Sequence, residues 1–188
     1  MKKIIALSLV LGLTTALMAE APVVVEKVEV KKSEVAVPQM DKNGIVTKES
    51  FVDVNTTINR LEKLIAKKGI TNFKRINHAQ NSRNAGAKDV ADAELLIFGK
   101  PAVGLKMLSK DPKAGLDLPL KILAYVAKDG KVYVSYRDTA FYSEIYNLEG
   151  CKVHKKMSGI LNKLSSVITK SPEDFKAFME KSKGEGKK

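Results

Sequence analysis

Few side chains in this chain could do chemistry, and their spacing limits what that chemistry could be. There are two histidines, His78 and His154, and one cysteine, Cys151. His78 follows an apolar-patterned segment at 70–76, and an imidazole just past a strand end can act as acid, base or ligand near neutral pH. Its structural alternative is a loop histidine bonded to the backbone. Asp117 stands between Leu116 and Leu118, where a carboxylate is costly to bury unless it is paired or hydrogen-bonded. Lys121, Arg137 or backbone amides are structural partners for it, whereas a pairing with His78 would give an enzyme an acid and a base. Cys151, His154 and Met157 recur at intervals of three, a sulfur and imidazole set of the kind copper uses. They fall at the start of an expected helix, where positions three and six apart drift around the cylinder and Met157 belongs to the apolar stripe. The Cys-x-x-Cys-His pattern of covalent haem and the GxxxxGK phosphate loop are both missing. Cys-x-x-His on neighbouring helical positions is not a nucleophile arrangement. These absences favour a binding domain over an enzyme, and no cofactor is expected.

Two near-continuous apolar segments must position any site: ELLIFGKPAVGL at 94–105 and AGLDLPLKILAYV at 114–126. Packing explains their apolar residues but not Gly99, Pro101, Gly104, Asp117 and Pro119. Gly99 and Gly104 allow positive backbone dihedrals or close approach to a ligand, and Pro101 and Pro119 fix the local chain direction. The remaining elements follow from periodicity. A strand is expected at 45–52, then a helix capped by Asn55 or Thr56 with Ile58, Leu61, Leu64 and Ile65 on one stripe, closed by Lys67, Lys68 and Gly69. A strand at 70–76 delivers His78 into a loop rich in Asn, Ser and Gly. A strand at 94–98, a helical turn at 103–108 and a strand at 118–127 come next. Asp129-Gly130 then turns into a strand at 132–136 as an antiparallel hairpin. Phe141, Ile145 and Leu148 suggest a brief helix. The long closing helix spans 151–169 with Met157, Ile160, Leu161, Leu164, Val167 and Ile168 on one face. Ser171-Pro172-Glu173-Asp174 starts a last short helix carrying Phe175, Phe178 and Met179.

The same segments carry a family resemblance. Phe98-Gly99-Lys100-Pro101 with Gly104, then Leu116 to Lys121 around Asp117-Leu118-Pro119, then Gly130 and Tyr133 to Tyr136, resemble the domain of unknown function 302 family over roughly residues 45–168. His78-Ala79, Asn81 and Gly86 add to the match. Lys100 stands where the family usually has Asn, Ala91-Asp92-Ala93 where it has a Pro, and the spacing from Gly86 to Glu94 is one residue longer than the family's. The resemblance implies a small α+β domain, a TATA-binding-protein-like β-α-β4-α arrangement of one antiparallel sheet with a long C-terminal helix, and a tendency to form homodimers; it brings no established activity. The expected ligand site comprises His78, Phe98, Gly99, Lys100, Pro101, Gly104, Asp117 and Tyr136, holding a small polar or amphipathic molecule in a cleft between sheet and helix.

The order of residues at the start of the chain leads to an expectation of export. Lys2 and Lys3, an apolar run at 4–13 and small residues ending at Ala19 are the order of a secretory signal, and the run is too short to anchor in a membrane. A periplasmic or secreted protein is expected, starting near Glu20, with no integral membrane contact. Residues 20–44 read as a linker or an extra edge strand, 45–170 as the domain, and 171–188 as a short helix with a basic tail. One cysteine permits no internal disulfide, so Cys151 is a free thiol or an intermolecular link. The formal charge of +12 could steer anionic partners. Its lysines are dispersed rather than striped with aromatics, and no nucleic-acid partner is expected.

Overall fold

A computed structural model describes residues 39–184. The expected signal segment, residues 20–38 of the expected linker and the last four residues of the tail lie outside the described residues. Five strands, β1 (Ile45–Ser50), β2 (Thr71–Asn77), β3 (Ala93–Gly99), β4 (Leu120–Val126) and β5 (Val132–Arg137), form one antiparallel sheet in the order β1-β5-β4-β3-β2. Alternation decides its faces. Leu96 and Phe98, Ile122 and Ala124, and Val134 and Tyr136 are buried on one side, while Leu95, Leu123 and Tyr125 on the other are half-buried. The hairpin between β4 and β5 turns at Gly130, whose φ of 78° favours glycine, and Asp129 Oδ1 accepts from the Lys131 amide at 3.0 Å.

Helix α1 (Val54–Lys67) and helix α5 (Val153–Ile168) pack against the buried face. The stripe of α1 lies where its period placed it, with Ile58 and Leu61 fully buried and Leu64 and Ile65 nearly so. Its cap is Asp53, whose Oδ1 accepts from the Thr56 amide at 2.7 Å; Asn55 and Thr56, the residues expected to cap, lie in the first turn. Buried Arg60 reaches from α1 to the end of α5, donating to the Ile168 carbonyl at 3.2 Å and the Lys170 carbonyl at 2.6 Å. A cation there suits the negative end of the helix. The guanidinium also lies 4.2 Å from the centre of the Phe175 ring of helix α6 (Pro172–Gly184).

Short helices complete the described chain: α2 (His78–Asn84), α3 (Pro101–Leu108) and α4 (Tyr142–Ile145). The α+β expectation of a strand, a helix, four strands and a closing helix holds, with these inserted.

Candidate functional site

A large concavity lies at the end of the sheet where β2 begins, β3 ends and β4 begins. Its volume is about 1530 Å³, above the roughly 300–1,000 Å³ usual for small-molecule pockets. Phe98 and Gly99 from β3 and the turn at 118–120 line one part of it, and α3 and α5 supply walls. A β-bulge places Phe73 between the paired positions Asn72 and Lys74, leaving it outside the ladder. Bulges re-aim side chains. Here the ring edge comes within 3.7 Å of where a Cβ on Gly99 would sit, and Phe73 lines the cleft.

The closing helix presents two apolar faces where one was expected. Leu161, Leu164 and Ile168 are buried in the core, while Ile160 is 42% exposed and lines the cleft with Met157, Leu164 and Val167. Large exposed apolar side chains gather here: Phe73, Leu105, Ile160 and Phe178 are four of the seven among the described residues. Single exposed apolar side chains need no explanation, but a cluster around one cavity singles out this surface as the candidate site. The charged residues of the lining are Lys68, Lys100, Lys163 and Lys170, with no carboxylate among them. None of the four joins an ion pair among the described residues.

The uncharged polar side chains of the lining already accept hydrogen bonds. Asn162 Oδ1 and Ser166 Oγ each lie 2.7 Å from Lys48 Nζ, which donates to both. Burial of Lys48 brings its pKa down to about 8, against an opposing pull from Asp138. No histidine, cysteine, aspartate or glutamate lines the cleft, so its surface offers contact and charge and no acid–base pair.

Neither Gly99 nor Gly104 has a positive φ, contrary to one reason given for them. A Cβ on Gly104 would meet Leu118 at 3.7 Å, an ordinary contact. Their effect is to leave space in the lining. Phe98, Lys100 and Pro101 line the same cleft, so five of the eight expected site residues come together.

The other three do not join them. Asp117 turns its carboxylate to Arg137, with Nε–Oδ1 at 3.4 Å, and accepts from the Tyr146 hydroxyl at 2.7 Å. This is the structural pairing with Arg137 weighed in the sequence. Burial and the hydrogen bond to Asp117 push Tyr146 up to about 12, and burial, with Asp117 nearby, pushes Tyr142 up further. Tyr136 is buried beneath α5, its hydroxyl 3.5 Å from Ser165 Oγ, and burial raises its pKa.

His78 is exposed and begins α2, not a loop: the Asn77 side chain accepts from the Gln80 amide at 2.7 Å and starts the helix. Antiparallel pairing of Thr71 with Gly99 and of Asn77 with Glu94 puts His78 at the opposite end of the strands from Gly99, about 20 Å away at the usual strand rise. Because Asp117 precedes β4 at the Gly99 end, the two residues proposed as an acid–base pair are separated by the sheet's length.

Cys151 is buried and donates weakly to the Lys106 carbonyl at 3.5 Å. His154 is 4% exposed, with neither ring nitrogen hydrogen-bonded among the described residues. Met157 is buried by the core. Among the described residues no three His, Cys, Asp or Glu side chains form a metal-holding group.

Sequence reading missed Phe73, Leu105, Lys163 and Lys170 of the lining. Ile160 and Phe178 were read only as stripe and helix residues. The available signal was an excess of apolar residues over what one helix face can bury: Ile160 and Val167 widen the stripe of α5 beyond the core-facing arc.

Comparison with known proteins places the chain. A crystal structure of an uncharacterized conserved protein of the same family from Bacillus stearothermophilus superposes with a TM-score of 0.53 at 16% identity, covering 67% of this chain and 95% of that one, which is a likeness of fold. Proteins named fluoride-specific ion channel FluC 1, from Brucella suis biovar 1 (strain 1330) and Brucella abortus biovar 1 (strain 9-941), are each 33% identical over 106 residues, which is 56% of this chain. The chain spans only 41% and 39% of their lengths. No helix among the described residues is long and apolar enough to cross a membrane. The model of the family described as domain of unknown function DUF302 matches residues 46–164, the stretch that builds the sheet, α3 and the first part of α5, and the chain belongs to that family.

Proposed function

We propose that this protein is an exported domain that binds a small amphipathic molecule in the cleft at the end of its sheet and does not transform it. The observation that carries the reading is the lining: four exposed large apolar side chains and four lysines surround one concavity of about 1530 Å³ that holds no catalytic pair. Pockets of this type take their energy from apolar contact and their orientation from a few polar groups.

Titration with Nile red, a neutral apolar dye, tests the reading. Wild-type protein is expected to bind it with blue-shifted emission, and Gly104→Phe, which adds a ring to the lining without positive-φ strain, is expected to weaken binding about tenfold or more. Asp117→Asn and His78→Ala, whose side chains lie outside the lining, should bind as the wild type does. A wild-type protein that leaves the dye unbound, or a folded Gly104→Phe variant that binds as tightly as the wild type, overturns the proposal.

A further inference from the structure

The proposed function leaves the chemistry of the ligand open, and the charges of the cleft narrow it. Resting on the amphipathic-ligand reading, we infer that the occupant is a long-chain fatty acid, its alkyl tail along the apolar wall and its carboxylate among Lys68, Lys100, Lys163 and Lys170.

Three observations point this way. The first is sign. Every ionisable side chain of the lining is a lysine, and none is neutralised by an ion pair among the described residues. Uncompensated ammonium groups beside an apolar surface favour an anion and reject a cation. The four come from separate places in the chain, the end of α1, the start of α3, the middle of α5 and the residues after it, and the fold brings all of them to the border of one cleft.

The second is hydrogen-bonding capacity. Asn162 and Ser166 accept from Lys48. The lining therefore offers free donors but few free side-chain acceptors, so an extended peptide would leave N–H groups poorly paired, a cost an alkyl carboxylate does not carry. The third is shape. A bilayer presents a broad surface that a concave site cannot clasp, whereas a monomeric chain can lie within it. Phe73 from its bulge, Leu105 on α3, Ile160 on α5 and Phe178 on α6 supply apolar contact from four different elements.

Calorimetric titration below the micelle limit tests this with saturated carboxylates of eight to fourteen carbons, the matching alcohols, and the matching alkyltrimethylammonium salts. The carboxylates are expected to bind about tenfold tighter than the alcohols, with the ammonium salts weakest, and each two added methylenes should tighten binding by about tenfold. Raising salt to half molar should shrink the preference for carboxylate over alcohol, a readout that needs no variant. The doubly substituted Lys100→Gln, Lys163→Gln protein, checked as folded by circular dichroism, should lose most of that preference. Equal binding of acid, alcohol and cation overturns the fatty-acid assignment while leaving the cleft reading intact. Tighter binding to anionic phospholipid vesicles or to an acidic amphipathic helical peptide than to any monomeric acid overturns it too. Failure of every alkyl compound and of Nile red overturns both readings.

Discussion

Lys48 is a charged residue on the helix-covered face of β1, and the fold satisfies it with acceptors rather than a carboxylate: the Asn162 carbonyl at 3.1 Å, Asn162 Oδ1 and Ser166 Oγ. Desolvation by burial still lowers its pKa to about 8 from the ordinary 10.5. Between those values the folded chain has released a proton that the unfolded chain still binds, so the contribution of this group to stability rises as pH goes from about 8 to 10.5. Chemical denaturation across that window should give wild-type protein a steeper upward slope, or a shallower decline, than Lys48→Met; identical pH profiles would remove Lys48 as the cause. Asp117 shows how far residue types alone can go. Its place between two leucines announced that it needed a partner, and Arg137 was among those named. What no spacing revealed is that both carboxylate oxygens are engaged, Oδ1 with Arg137 and Oδ2 with Tyr146. His78 was misjudged for a related reason: adjacency in a family pattern does not say which end of a strand a residue occupies, and antiparallel pairing does.

At the level of elements, long periodic segments were legible and short polar ones were not. The helix expected around 55–68 and the closing helix both appear, because four or more apolar residues recur three and four apart and packing then selects the helix. The seven-residue α2 has one buried residue, Ala79, and its chief signal was the Asn77 cap. Helix α3 offers a direct test. Gly104 lies inside it without a positive φ, where glycine costs up to about 1 kcal/mol relative to alanine. Since an added Cβ meets Leu118 at 3.7 Å, Gly104→Ala should raise stability by about 0.5–1 kcal/mol. A midpoint of denaturation at or below that of the wild type would mean that the backbone needs glycine there after all. The cleft was half legible: its β3 and α3 side was marked by Phe98, Gly99, Lys100 and Pro101, whereas its α5 and α6 side was hidden inside a stripe that reads as core.

For the whole molecule, we propose that two copies associate without a disulfide. Cys151 is largely buried and its thiol donates to the carbonyl of Lys106, which disfavours a crosslink. Light scattering should therefore give twice the monomer mass both with and without reductant; a mass that halves on reduction would show a covalent link, and a monomer in both would remove the dimer. A last consequence lies in the strand order. The first strand of the described residues, β1, has β5 as its sheet neighbour, with Ile45 opposite Arg137 and Ser50 opposite Val132. Pairs so distant in sequence close late and slowly, because the loop between them must be ordered first. During synthesis the first strand of the domain has no place to dock until residue 137 has emerged, by which time most of the domain has been made. Until then its sheet cannot be completed, so the topology itself delays folding.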